Sequence, residues 1–143
     1  LDANGAVLCV AKELAGGDPE IAFQHADGTK LPFEDASFDV AMCNLTLHHL
    51  APEAATVLLR ELRRVSHVAP IVTDLVRSPL SWFAALCFAL LFSRNRLTRH
   101  DAPLSARRAY TPTEVLELAR SAGWTAPRVT RFGLIRMVLT DGA

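Results

Sequence analysis

Phe38-Asp39-Val40-Ala41-Met42-Cys43, followed at once by Asn44-Leu45-Thr46-Leu47-His48-His49-Leu50, is the stretch whose reading decides the fold. The first six residues are nearly continuous apolar apart from Asp39. Such a run fits a strand buried on both faces, as in a parallel sheet. The polar residues that follow then fall at the carboxyl end of that strand, where open α/β sheets bind their ligands.

Working outward, the segments alternate. Ala6 to Leu14 reads as a helix with an apolar stripe of Val7, Leu8, Val10, Ala11 and Leu14, capped by Asn4 and stopped by Gly16-Gly17. Leu1-Asp2-Ala3 before it reads as the end of a strand. Ile21 to Ala26 is a short strand candidate, and Asp27-Gly28-Thr29 is a turn. Leu31 to Ser37 reads as a loop. A helix opens at Ala51-Pro52-Glu53 and buries Ala55, Leu58, Leu59, Leu62 and Val65. Arg63 and Arg64 lie off that stripe, near the negative end of the helix dipole. Ile71-Val72-Thr73 is a strand expected to start at or after Pro70, because proline cannot donate to a ladder. Leu80 to Phe92 is a helix with Ser81 as its polar residue. Thr111-Pro112-Thr113-Glu114 is a capping box, and its helix stops at Gly123. Arg128 to Phe132 and Leu134 to Leu139 alternate as an antiparallel strand pair joined by Gly133. The fold class is therefore α/β with a mainly parallel sheet and a C-terminal antiparallel pair.

Composition narrows the function. The chain has 143 residues, 15 basic and 15 acidic side chains, and is half apolar. That suffices for one packed core. Neutrality argues against a non-specific nucleic-acid binder. The charge is asymmetric: residues 1–53 hold nine acids and two bases, whereas residues 54–143 hold six acids and thirteen arginines. Arg94, Arg96, Arg99, Arg107 and Arg108 crowd one loop-like stretch, as solvated residues or as a cationic rim on a substrate site. Cys9, Cys43 and Cys87 have no metal-ligand spacing. Together with the lack of a visible signal peptide, they suggest a reduced, cytoplasmic protein. Leu80–Phe92 is shorter than the roughly 20 apolar residues a membrane span needs. It reads as a buried helix, a hydrophobic lid over substrate, or a membrane-surface contact.

Asp2 and Asp27 are acids at successive strand ends. A carboxylate there can accept from ribose hydroxyls or an adenine amino group, or simply cap a helix or close an Asx-turn. Together they point to an adenosine ligand.

Asp27-Gly28-Thr29-Lys30-Leu31-Pro32-Phe33, Ser37-Phe38-Asp39-Val40 and Asn44 to Leu50 resemble the middle of class I S-adenosylmethionine-dependent methyltransferases, in the small-molecule branch of the methyltransferase type 11 kind. Asp74-Leu75-Val76-Arg77, Asn95 to Asp101 and Arg107 to Pro112 resemble a bacterial subgroup associated with polyketide-type biosynthesis. The resemblance implies a Rossmann-like, seven-stranded sheet whose last strand is antiparallel. It implies one partial methyltransferase domain over residues 1–143, with residues 78–108 as a helical and loop insertion on the substrate side. The family's first strand and glycine-rich loop should precede Asp2, so the chain is expected to be N-terminally truncated, with weak or no cofactor binding alone. Asp2, with Ala3 beside it, would hold the ribose of S-adenosylmethionine, and Asp27 and Gly28 the adenine. Asn44 and Leu45 would line the methionine part.

The chemistry implied is an in-line displacement at a methyl carbon, helped mainly by positioning. A hydroxyl acceptor needs a base, and His48, His49 and His100 are the histidine candidates. His49 and His100 are assigned as catalytic. His48, Asp74, Arg77, Arg99 and Tyr110 are assigned to a small, hydrophobic acceptor. Two other readings stand: a nicotinamide-dependent Rossmann oxidoreductase, and a non-catalytic interaction module built on a degenerate methyltransferase.

Overall fold

The computed structural model describes residues 1–142. In chain order it contains α1 (Gly5–Leu14), β1 (Phe38–Asn44), a single 3₁₀ turn (Leu47–His49), α2 (Pro52–Val65), β2 (Ser66–Leu75), α3 (Pro79–Phe92), α4 (Arg96–Arg108), α5 (Pro112–Ser121), β3 (Pro127–Phe132) and β4 (Arg136–Asp141). The four strands form one sheet in the order β1-β2-β4-β3. β1 and β2 are parallel, with Met42 opposite Ile71 and Asn44 opposite Thr73. β4 runs antiparallel to both β2 and β3.

The decisive strand forms where expected, and its edge away from β2 carries no strand among the described residues. It is not buried on both faces as expected: Ala41 is its one buried residue, and Phe38, Val40 and Met42, which share a face, are exposed. β2 is longer than the sequence suggests and contains Pro70. The Thr73 carbonyl accepts from Leu45 N on the β1 side. Alternation therefore turns the Pro70 nitrogen toward β4, whose ladder begins only at Ile71 opposite Thr140. The missing donor thus falls beyond the end of that ladder, where no partner awaits it.

α2 buries its expected stripe: Ala55, Leu58, Leu59, Leu62 and Val65. These residues meet Val72, Met137 and Leu139 of the sheet and Val115 and Ala119 of α5 in one core. Each fully buried leucine contributes about 1.5–3 kcal/mol. Trp124 closes the core and donates its Nε1 proton to the Leu59 carbonyl at 2.9 Å. The capping box of α5 is complete: Glu114 N donates to Thr111 Oγ1 at 3.3 Å, and Thr111 N donates to a Glu114 carboxylate oxygen at 2.8 Å.

Several expectations change. Asn4 caps α1 by accepting from Ala6 N, but of the expected stripe only Leu8 is buried; Val7, Val10 and Leu14 are exposed. Ile21–Ala26 is not a strand: a single parallel bridge joins Asp2 to His25. A pair that short with no further neighbour cannot sustain a ladder. The arginine-rich stretch is not a loop but α4, started by Asn95, which accepts from Leu97 N at 2.9 Å. The terminal hairpin turns through Gly133-Leu134-Ile135 rather than Gly133 alone. Gly133 there has a φ of +60°, which glycine adopts without penalty. α3 is mostly exposed rather than buried, and it packs on α4.

Candidate functional site

The parallel strands β1 and β2 bring their carboxyl ends together. Asn44 closes β1, and Thr73 Oγ1 donates to Asn44 Oδ1 at 2.5 Å. Leu45 then takes a φ of +53°, uncommon for a branched residue. Its N–H is fixed by the Thr73 carbonyl at 2.9 Å. Strain of this kind persists only where the surroundings impose it. It turns the chain sharply into Thr46 and the 3₁₀ turn.

That turn places His48 over Asp74 of β2. His48 Nδ1 lies 2.6 Å from Asp74 Oδ1, and the His48 N–H donates to Asp74 Oδ2 at 3.1 Å. Leu75 N also donates to Oδ1, at 2.6 Å. Both side chains are buried. A carboxylate oxygen only accepts, so Asp74 requires a proton on His48 Nδ1 and thereby fixes the orientation of the ring. His49 packs against His48 with ring centroids 4.0 Å apart and planes tilted by 41°, but is itself exposed. Its pKa is depressed, chiefly by desolvation and then by His48, against the raising effect of Asp74. It is therefore neutral, and able to accept a proton, at neutral pH.

An open cavity of about 820 Å³ runs along β1 from Phe38 to Asn44, on the side that carries no strand among the described residues. Asp2, Ala26 and Gly28 line one side, and Val40, Met42, Asn44 and Thr46 the other. Leu31, Leu58, Leu62 and Val65 form its apolar floor. Asp2 Oδ1 accepts from Asn4 N at 2.7 Å. Asp27 Oδ1 accepts from both the N–H and the hydroxyl of Thr29 at 2.8 Å, and these bonds hold its pKa below the usual carboxylate value. Each acid is thus fixed in a turn through Oδ1, with no hydrogen bond to Oδ2 among the described residues. That arrangement suits donors such as ribose hydroxyls or an adenine amino group, so the residues present fit an adenosine ligand. Gly28 fits for a different reason: a Cβ there would meet Leu58 Cδ1 at 3.0 Å.

The sequence-predicted residues divide accordingly. Asp2, Gly28 and Asn44 border the cavity, with Ala3, Asp27 and Leu45 adjacent in the chain. His48, His49 and Asp74 form one cluster just past Thr46. Tyr110 OH donates to the Leu50 carbonyl at 2.6 Å, which anchors the segment beyond the histidines. Arg77 pairs with Glu114. Arg99 donates to the carbonyls of Ser93 at 2.7 Å and Leu90 at 3.1 Å, closing the end of α3. His100 is exposed on α4 and pairs with Asp101 at 2.9 Å. None of His48, His49, Asp74, Arg77, Arg99, His100 or Tyr110 lines the cavity.

One residue that positions the site escaped sequence reading. Arg64 donates to the carbonyls of Phe33 at 2.7 Å and Leu31 at 3.1 Å and to Asp35 at 2.8 Å. Glu61, itself paired with Arg64, accepts from Leu31 N at 2.9 Å. Together they clamp the Leu31–Asp35 loop, and with it the cavity floor, onto α2. The (i, i+3) spacing of Glu61 and Arg64 was the available signal.

Comparison with known proteins agrees with this fold. Residues 1–68 match the methyltransferase domain family. The chain is 33% identical over 120 residues to a demethylmenaquinone methyltransferase of Roseiflexus sp. (strain RS-1), covering 76% of this chain and 50% of that protein. It spans about half the length of the curated relatives it matches. An S-adenosylmethionine-dependent methyltransferase from Aquifex aeolicus superposes with a TM-score of 0.69 at 17% identity, over 96% of this chain and 64% of that one. Human N-acetylserotonin methyltransferase in complex with S-adenosylmethionine superposes at 0.65 and 20%, over 97% and 38%. At those identities the likeness shows the shared fold.

Proposed function

The chain belongs to the class I S-adenosylmethionine-dependent methyltransferases, and from that premise we propose that its cleft serves methyl transfer to a small, hydrophobic acceptor. The observation that supports the reading is that Asp2, Gly28, Asn44 and Thr46 all line one cavity along β1, with a histidine cluster two residues past Thr46 in the chain.

S-adenosylmethionine supplies an electrophilic methyl group on a sulfonium. Asp2 and Asp27 would hold its ribose and adenine through their uncommitted carboxylate oxygens. Asn44, Leu45 and Thr46 would border its methionine end. Asp74 keeps His48 in one tautomer and one orientation, and the buried His48 ring fixes where His49 stands. His49, neutral and exposed, would accept the proton of an acceptor hydroxyl at a ring nitrogen. The apolar lining from Leu31, Val40 and Met42 favours an acceptor with little polar surface. The demethylmenaquinone methyltransferase named above supports an apolar acceptor class.

The test is a titration of the chain with S-adenosylmethionine, and separately with NADH, followed by thermal unfolding. A ligand that binds only the native state raises the melting temperature. A rise with S-adenosylmethionine alone, reached only at high ligand concentration because weak binding is expected of this chain, is the expected result. A rise with NADH alone would overturn the reading. The open edge of β1, with Phe38, Val40 and Met42 exposed, favours one second reading: a non-catalytic module whose apolar face binds a partner chain. No shift with either ligand supports that second reading instead.

A further inference from the structure

α3 is apolar on every side; Ser81 is its polar residue. A helix of that kind is normally buried or in contact with lipid. Here only Ser81 and Ala89 are buried. Leu80, Phe83, Phe88, Leu90, Leu91 and Phe92 are exposed, Leu91 and Phe92 at 76% and 73%. Leu97 extends the patch onto α4 at 70%. An apolar surface this continuous marks an interaction site.

The charges around it select the partner. No acid occurs from Leu75 to His100. Arg94 and Arg96 follow directly on Phe92, and Arg107 and Arg108 end α4 at the opposite end of the hairpin. Arg107 lies over the Trp82 ring at 5.2 Å. Among the described residues, none of Arg94, Arg96, Arg99, Arg107 or Arg108 forms an ion pair with a carboxylate. At 14 residues, α3 is too short to cross a bilayer. An apolar face bordered at both ends by unpaired arginines fits a surface that is apolar inside and anionic at its rim. Arginine stems can lie along the apolar region while their heads reach phosphates.

We propose that the α3–α4 hairpin docks on the surface of an anionic lipid bilayer, with Phe88, Leu91 and Phe92 in the acyl boundary and Arg94, Arg96 and Arg108 on lipid phosphates. The hairpin contributes nothing to the lining of the main cavity, so the inference does not depend on the methyl-transfer reading. It concerns where the protein sits, and its readout needs no turnover.

The experiment is co-sedimentation of the whole chain with vesicles of mixed phosphatidylcholine and phosphatidylglycerol, against pure phosphatidylcholine. Binding to the anionic vesicles that weakens at high salt is expected. Arg94→Gln with Arg96→Gln should reduce partitioning about fivefold per arginine. Phe88→Ser, Leu91→Ser and Phe92→Ser together should abolish it. All five positions are exposed, so the variants should keep the circular dichroism spectrum of the parent. Light scattering of the free chain tests the competing occupant, a second copy. Absence of vesicle binding, equal binding to neutral and anionic vesicles, or a dimer that the three serine substitutions dissociate would each overturn the proposal.

Discussion

His48 and Asp74, 26 residues apart, meet twice: ring nitrogen to carboxylate at 2.6 Å, and backbone N–H to the other carboxylate oxygen at 3.1 Å. Asp74 thereby ties the turn after β1 to the end of β2. Removing one partner leaves the other buried and unpaired, so Asp74→Ala should destabilise the fold by about 3–5 kcal/mol. Urea denaturation measures this. A loss under about 1 kcal/mol would mean that water replaces the carboxylate.

His49 titrates below its ordinary value of 6.5, chiefly through desolvation. Between its folded and unfolded pKa values, the unfolded chain binds more protons. Its contribution to stability is therefore complete above about pH 6.5 and lost as pH falls through the folded pKa. Ring proton shifts followed by NMR should give His49 a midpoint below 6.5. If His49 is the base, methyl transfer should fall over that same lower range. A midpoint above 6.5 would remove the basis for its role.

Arg64 holds the loop that floors the cavity through the Leu31 and Phe33 carbonyls. Arg64→Ala should speed amide exchange across residues 31–36, Leu31 and Ala36 included, while α5 keeps its protection. Arg64→Lys should not restore the loop, because a point charge cannot reproduce the guanidinium fork.

Gly28 lies against Leu58, within 3.0 Å of an added Cβ. Gly28→Ala should cost about 1–3 kcal/mol by overpacking. In the background of Leu58→Ala, which vacates the contact, the added methyl should cost almost nothing. Thermal unfolding of the double-mutant cycle reads the coupling. Additive effects would show that the contact is slack.

Much of the arrangement was legible in the sequence because local signals agreed with tertiary demands. The apolar run at Phe38 gave β1, the Leu58–Leu62 stripe gave the core face of α2, and Thr111 with Glu114 gave the start of α5. Pro70 misled because a missing donor excludes a residue only where a partner strand is present, and the β4 ladder stops one residue short. The arginine-rich segment read as a loop because charge density says little about backbone; the Asn95 cap was the better signal. Strand-end position singled out Asp2, Asp27, Asn44 and Asp74, of which Asp2 and Asn44 line the cavity. Which of His48 and His49 reaches Asp74 was not legible, since that contact spans 26 residues. Arg77 and Arg99 looked available for substrate, but Glu114 and the carbonyls of Leu90 and Ser93 occupy them.

The most direct test of the cofactor site is a map of backbone amide shifts in the labelled chain on adding S-adenosylhomocysteine. The proposed cofactor site requires shifts at Asp2, Ala3, Asp27, Gly28, Asn44, Leu45 and Thr46 that saturate with one binding constant, and that weaken at least tenfold in Asp27→Ala. Shifts confined to α3 and α4, or a saturable response that leaves Asp2, Gly28 and Asn44 unmoved, would contradict it.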